Sequence, residues 1–265
     1  MTVVAGVAGQ PITHSLSPVI HGIWITAAGL DAVYRAFGPA DADAFADLVN
    51  EGGRGVLRGL NVTAPFKEQA LALADEVSAT ARACGSANLL VFEAGRVRAD
   101  STDGAGLMAA LAEQAPTLDV KGRPVIVLGA GGAARAAAAA LKAAGAEVGI
   151  LNRTAQRARA LADDLGVDTS DAGAVGEAAL VVNALSVRPE IDLGMLRRDA
   201  VLMDMTYRPL MTPFLVEGRA RGLTTVDGLA MLIGQARPSF RALFGIAPPE
   251  VDVRAAALTA VGEAQ

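Results

Sequence analysis

Residues Val125-Ile-Val-Leu-Gly129-Ala-Gly131-Gly132-Ala133-Ala134-Arg135 join an apolar run to an alanine-rich stretch through a glycine-rich turn. The run is short and rich in β-branched residues, as a buried strand requires, and the alanines that follow favour helix. A strand that turns on glycines straight into a helix is the opening of a βαβ unit. Gly129, Gly131 and Ala134 fit G-x-G-x-x-A. In that pattern glycines permit the tight turn and let backbone N–H groups approach a pyrophosphate, whose charge is favoured at a helix N-terminus. The plainer reading is an ordinary turn in a chain that holds 29 glycines. The strand before it and the helix after it favour the dinucleotide.

The next apolar run, Glu147–Leu151, ends in Asn152-Arg153-Thr154, about where an acidic residue would bond a ribose 2′-hydroxyl. No acid stands there. An asparagine and an arginine offer donors and positive charge, which suit a 2′-phosphate and leave NAD without its usual partner. The expected cofactor is therefore NADP. On the bland reading Arg153 is a solvated surface charge and Thr154 only caps the following helix.

Alternating apolar and amphipathic stretches run through the rest of the chain: Val3–Ala8, Pro18–Ala28, Val33–Phe37, Ala42–Val49, Leu57–Val62, Pro65–Ala74 and Asn88–Phe92. A second series starts at Pro124–Leu128 and continues through Ala133–Ala144, Glu147–Leu151, Ala155–Leu165, Leu180–Asn183, Val201–Asp204 and Pro213–Ala220. The pattern predicts βαβ units with mainly parallel sheets, in an α/β chain of two domains. We place the domains at 1–103 and 104–235. Two further helices, Gly228–Phe244 and Val251–Val261, end the chain, and residues 236–265 are expected to pack back on the first domain.

In the first domain, Gly9-Gln-Pro11-Ile-Thr-His14-Ser15-Leu16-Ser17-Pro18 sets two serines just ahead of a helix, with Ser17 as the expected N-cap and Pro18 as the first helical residue. Capping alone leaves Ser15 without a role, and two hydroxyls at a positive helix end suit a carboxylate. Further on, Asn61-Val-Thr63-Ala-Pro65-Phe-Lys67 puts a lysine in a first helical turn. That is the unfavourable end for a cation and suits a lysine that exchanges protons with a hydroxyl or carbonyl. The bland readings are an exposed Lys67, an Asp103 that caps the helix from Gly104, and histidines His14 and His21 that are structural or on the surface.

Composition removes several functions. One cysteine, Cys84, excludes an intramolecular disulfide, and with two histidines no Cys/His metal cluster can be assembled. A net charge of −5 and 4% aromatic residues argue against a nucleic-acid partner. Mean hydropathy is +0.38, yet the apolar stretches are alanine-rich and broken by charge, as by Arg135, Lys142 and Glu147 within Ala133–Val148, so no membrane span is expected. The N-terminus lacks the pattern of an export signal, which points to the cytoplasm.

Several blocks together resemble the shikimate/quinate dehydrogenase family: Pro-Ile-x-His-Ser-Leu-Ser-Pro at 11–18, Asn-Val-Thr-x-Pro-Phe-Lys at 61–67, Gly-Ala-Gly-Gly-Ala-Ala-Arg at 129–135 and Asn-Arg-Thr at 152–154. Asp204-Met-Thr-Tyr207-Arg-Pro209, Thr212-Pro-Phe-Leu215 and Gly228-Leu-Ala-Met231-Leu-Ile-Gly-Gln235 resemble its later signatures. The resemblance spans nearly the whole chain. It implies an N-terminal α/β substrate domain, a Rossmann-type NADP-binding domain and an active-site cleft between them.

The resemblance also implies roles. Ser15 and Ser17 hold a substrate carboxylate, while Thr63, Asn88, Asp103, Tyr207 and Gln235 address hydroxyls and ring. Lys67 and Asp103 form the catalytic pair, with Lys67 moving a proton at the C3 oxygen and Asp103 orienting lysine and substrate. Gly129, Ala130, Gly131, Gly132 and Ala133 hold the pyrophosphate, Asn152, Arg153, Thr154 and Arg157 the adenosine phosphate, and Met205 and Gly228 the nicotinamide side. The implied reaction is the reversible reduction of 3-dehydroshikimate to shikimate in aromatic amino-acid biosynthesis, and the implied partner is a small molecule; a homodimer is compatible with this reading. Three places depart from the family pattern: Leu89 after Asn88, Ser101 before Thr102-Asp103, and Leu185 in Asn183-Ala-Leu-Ser186. Leu89 and Ser101 adjoin proposed substrate contacts, which keeps a quinate or aminoshikimate paralogue open. More distant alternatives are the methylenetetrahydrofolate dehydrogenase class, against which the twin serines argue, and a non-catalytic NADP-binding sensor.

Overall fold

The computed structural model of the chain describes residues 2–262, with Val261 described by its backbone alone. Two compact units result: one runs up to Thr102 and resumes at Gln235, the other is Asp103–Gly234.

In the first unit the strands are β1 (Val3–Ala8), β2 (Ala32–Phe37), β3 (Gly59–Val62), β4 (Glu76–Val77), β5 (Leu89–Glu93) and β6 (Arg96–Asp100), in the spatial order β2-β1-β3-β5-β6-β4. Helices α1 (Ser17–Ala27), α2 (Ala42–Glu51), α3 (Lys67–Ala72) and α4 (Ala79–Cys84) lie between them in sequence. β1 pairs in parallel with β2 and with β3, the outcome that helical crossovers impose. β5 runs antiparallel to β3 and to β6, so this sheet is mixed where the sequence pattern predicts a mainly parallel one. The cause is local. Ala94 and Gly95 both take positive φ, 51° and 76°, the geometry of a two-residue hairpin turn, and an alanine is not the residue that announces such a turn. Phe45 of α2 stacks on Phe66 with centroids 4.7 Å apart, in a core shared with Leu60, Val62, Leu90 and Phe92.

The second unit contains α5 (Asp103–Gln114), β7 (Pro124–Leu128), α6 (Gly132–Ala143), β8 (Glu147–Leu151), α7 (Ala155–Leu165), β9 (Asp168–Thr169), β10 (Leu180–Asn183), β11 (Val201–Asp204), α8 (Pro213–Ala220) and β12 (Thr224–Val226). Its strands lie in the order β12-β11-β10-β7-β8-β9, and every pair is parallel. Counted from β7, that is the 3-2-1-4-5-6 order of doubly wound dinucleotide-binding folds, in which ligands bind where the strand order reverses. The reversal falls between β7 and β10, where the glycine turn leaves β7. All four residues of β10 and of β11 are buried, as sheets covered on both faces require. Alanines on α6 let α5 approach closely: a Cβ at Gly104 would lie 2.8 Å from that of Ala140.

Helix α9 (Gly228–Phe244) passes from the second unit into the first at Gly234–Gln235. Asp227 starts it, its carboxylate accepting the Ala230 N–H at 3.0 Å, and Gln114 holds Asp227 through two hydrogen bonds of 3.0 Å. Pro238 lies inside α9 and has no N–H to give the Gly234 carbonyl four residues back. The last helix, α10 (Val253–Val261), packs on α1 in the first unit.

Candidate functional site

In the first unit the chain leaving β1 meets the chain leaving β3. Gln10 N–H donates to the Ala64 carbonyl at 3.1 Å and Thr63 N–H to that of Ala8 at 2.9 Å. A Cβ at Gly9 would lie 2.3 Å from Thr63 Cγ2, so only glycine fits. This contact brings the serine segment beside Thr63.

The serines differ from the sequence expectation. Leu16, not Ser17, is the N-cap of α1; Ser17 is the first helical residue and Pro18 the second. A turn closed by Ser15 N–H on the Ile12 carbonyl leaves Leu16 already in a helical conformation, and proline is tolerated in a first turn. Ser15 therefore does serve the helix start, because its Oγ accepts the Ser17 N–H at 3.3 Å. Ser15 is half-buried and Ser17 buried, His14 is exposed, and His21 lies fully inside the unit.

Behind the serines lies a buried polar cluster. Tyr34 Oη donates to Asn61 Oδ1 at 2.8 Å. Asn61 Nδ2 donates to the Asn88 carbonyl at 3.1 Å and to Ser239 Oγ at 2.9 Å. Asn88 Nδ2 donates to Thr102 Oγ1 at 3.0 Å and to Gln235 Oε1 at 3.2 Å, and its Oδ1 accepts the Thr102 N–H at 2.7 Å. Thus Asn88 and Gln235, far apart in sequence, touch directly. Burial pushes the Tyr34 phenol well up, opposed by a hydrogen bond with Ser17. Ser101 Oγ is buried with no hydrogen-bond partner among the described residues.

Lys67 is the first residue of α3, and its carbonyl accepts the Ala87 N–H at 2.9 Å, tying the helix start to the segment that carries Asn88. In the second unit, Asp103 opens α5 with its carboxylate in the first turn, rather than preceding a helix from Gly104 as expected. It is buried.

The glycine turn is built for a close backbone approach. Gly129 takes φ +115°, which disfavours any residue with a Cβ. Gly131 is the N-cap of α6, no side chain caps that end, and a Cβ at Gly131 or Gly132 would meet nothing within 4 Å. Exposed backbone donors at a helix start, with open space before them, fit a pyrophosphate. At the exit of β8, Asn152 Nδ2 donates to the Thr154 carbonyl at 3.1 Å. Thr154 is the N-cap of α7, yet its side chain makes no capping hydrogen bond. Arg153 and Arg157 are exposed and have no ion-pair partner among the described residues, whereas Arg135 pairs with Asp164 at 2.9 Å. Two uncommitted arginines beside an uncommitted hydroxyl suit a phosphate monoester.

On the far side of β10, Asp204 fixes the loop that carries Met205 and Tyr207. Its carboxylate accepts the Thr206 N–H at 2.9 Å, the Asn183 amide at 3.0 Å and the Thr212 hydroxyl at 2.8 Å. A Cβ at Gly228 would lie 2.5 Å from the Thr206 carbonyl oxygen and 2.6 Å from that of Met205, so this contact excludes any side chain. Tyr207 is half-buried, and burial raises its phenol against the influence of Arg208.

Sequence reading assigns no role to Tyr34, Asn61, Thr102 or Ser239, which the cluster joins to Asn88 and Gln235, or to Asp204. Asn61, Thr102 and Asp204 stand inside the family motifs, a signal that could have found them; Tyr34 and Ser239 carry none. Among the described residues no group of three His, Cys, Asp or Glu could hold a metal ion, and no helix is long and apolar enough to cross a membrane.

Comparison with known proteins places this geometry. Residues 7–90 match the family model described as the shikimate dehydrogenase substrate binding domain, and residues 110–187 match that of shikimate / quinate 5-dehydrogenase. The shikimate dehydrogenase (NADP(+)) of Caulobacter vibrioides is 52% identical over 98% of this chain and 96% of its own length. The crystal structure of shikimate 5-dehydrogenase from Thermus thermophilus, in complex with NADP(H) and shikimate, superposes with a TM-score of 0.91 at 38% identity, covering 98% of this chain and 100% of that one. Quinate dehydrogenase from Corynebacterium glutamicum in complex with NAD gives a TM-score of 0.87 at 30% identity, covering 98% of this chain and 99% of that one. The chain belongs to the shikimate dehydrogenase family.

Proposed function

We propose that the chain is an NADP-dependent shikimate dehydrogenase, an oxidoreductase that interconverts 3-dehydroshikimate and shikimate in aromatic amino-acid biosynthesis. The observation that carries the substrate class is the Asn88–Thr102–Gln235 cluster: neutral, buried donors and acceptors suited to ring hydroxyls, in the same unit as the twin serines suited to a carboxylate. The relatives named above give the reaction.

The nicotinamide cofactor, when bound, supplies or takes the hydride. Gly129, Ala130, Gly131, Gly132 and Ala133 present backbone donors to its pyrophosphate, Asn152, Arg153, Thr154 and Arg157 take the adenosine phosphate, and Met205 and Gly228 line the nicotinamide side. Ser15 and Ser17 hold the substrate carboxylate, with Thr63, Asn88, Tyr207 and Gln235 on its hydroxyls and ring. Lys67 Nζ gives a proton to the C3 oxygen in reduction and takes it back in oxidation, and Asp103 is its carboxylate partner. The domain roles follow: residues 1–103 with 236–265 for the substrate, 104–235 for the cofactor. We place the enzyme in the cytoplasm. A homodimer is its proposed assembly, measurable by light scattering.

Initial rates with shikimate and with quinate, each with NADP and with NAD, test the reading. Shikimate with NADP is expected to dominate. Preference for quinate would favour the paralogue, for which the motivating residues are Leu89 and Ser101, whose hydroxyl has no hydrogen-bond partner among the described residues. Tight NADPH binding with no turnover would favour the sensor. Cofactor choice has its own test: Arg153→Ala is expected to raise the NADP KM by roughly ten- to a hundredfold, the loss of one charge-assisted phosphate contact, and to leave the NAD KM within about twofold. An equal effect on both would remove Arg153 from cofactor selection.

A further inference from the structure

The polar cluster of the first unit contains a tyrosine that the proposed mechanism does not use. β1 lies between β2 and β3 in the sheet, and Tyr34 on β2 reaches across it to Asn61 on β3 at 2.8 Å. Register permits this: β1 residues Ala5 and Val7 pair with Tyr34 and Ala36 on one side and with Gly59 and Asn61 on the other, so Tyr34 and Asn61 project from the same face. The ring is held from behind by His21, stacked at 4.1 Å between centroids and 4° from coplanar.

The phenol sets the orientation of an amide. Asn61 gives both N–H groups away, to the Asn88 carbonyl and to Ser239 Oγ, and takes the Tyr34 proton on Oδ1. A flipped amide would face Oδ1 to the Asn88 carbonyl, acceptor against acceptor, so only one orientation satisfies every group. Asn88 then continues to Thr102 and Gln235.

We propose that Tyr34 is a positioning residue for substrate recognition: its hydroxyl locks the Asn61 amide, which holds the Asn88 carbonyl and Ser239, and so keeps the hydroxyl-binding Asn88 and Gln235 in place for the substrate ring. This rests on the shikimate dehydrogenase reading and adds to it a residue that touches neither substrate nor cofactor.

Tyr34→Phe keeps the ring and its stack on His21 and removes only the hydroxyl. The shikimate KM is expected to rise about tenfold, the loss of roughly one well-placed hydrogen bond, with the NADP KM within about twofold of wild type. A merely structural role would lower the melting temperature and the active fraction while leaving the shikimate KM of the folded enzyme unchanged. Because Tyr34→Phe strands a buried Asn61 Oδ1, a second variant, Tyr34→Phe with Asn61→Leu, removes both partners together. In it the Asn88 carbonyl keeps the Val62 N–H at 2.8 Å, and Ser239 keeps the Gln235 carbonyl at 3.0 Å. The same KM rise is expected at a near-native melting temperature. A wild-type shikimate KM in either folded variant overturns the proposal while the enzyme reading stands. A wild-type protein that neither binds nor turns over shikimate overturns both.

Discussion

Replacing Lys67 by methionine is expected to lower kcat for shikimate oxidation by roughly 10²–10⁴-fold, the range that a positioned proton-transfer group contributes, or about 3–5 kcal/mol in the barrier. Methionine keeps the length of the stem and loses the ammonium. The backbone anchor of the helix start survives the change, because it is the Lys67 carbonyl that accepts the Ala87 N–H. NADPH affinity, measured by fluorescence titration, is expected to stay within about twofold, because the glycine turn and the arginines that would hold the cofactor belong to the other unit. Turnover close to wild type would remove Lys67 from the chemistry. Parallel loss of turnover and of NADPH binding would mean that the substitution damaged more than proton transfer.

The two units are not equally legible in the sequence. β7, β8, β10 and β11 form at the bounds that the apolar runs predict, because strands of a covered parallel sheet are apolar without interruption and glycine or polar residues close each run. β6, Arg96–Asp100, goes unread: it alternates charged with apolar residues over a span too short to stand out, and its hairpin turns on Ala94. The six-residue α4 and the short β4, β9 and β12 are set by tertiary pairing and not by local pattern. The candidate site shows the same division. Serines, lysine and glycines stand in compact motifs, whereas the Asn61–Ser239 bond joins residues 178 apart and the Asn88–Gln235 bond residues 147 apart, distances over which no periodicity carries information. The N-cap of α1 shows a finer limit: Ser17 has the composition of a cap, but the turn at Ile12–Ser15 starts the helix one residue earlier.

The second large effect is expected in the acid stability of the fold. His21 is fully buried among Trp24, Tyr34 and Phe240, and neither ring nitrogen has a hydrogen-bond partner among the described residues. Burial without a partner penalises the imidazolium and lowers the pKa from 6.5 to about 3 in the folded chain. The unfolded chain binds a proton that the folded chain refuses throughout that window, so stability contributed above pH 6.5 drains away as pH falls towards 3. Between pH 7 and pH 5 the loss from this one group is about 2 kcal/mol, at 1.36 kcal/mol per unit below the unfolded value. His21→Phe removes the titration and keeps an aromatic ring against Tyr34, at the cost of a small change in packing. Urea unfolding of both proteins at pH 7 and pH 5 gives four free energies. The carboxylates that also titrate over this range are common to both proteins and cancel in the difference. The variant is expected to lose about 2 kcal/mol less than the wild type on going to pH 5, whatever its absolute stability at pH 7. Equal losses in the two proteins would mean that His21 takes up its proton in the folded state, through an opening of the aromatic cluster that costs less than the burial described here.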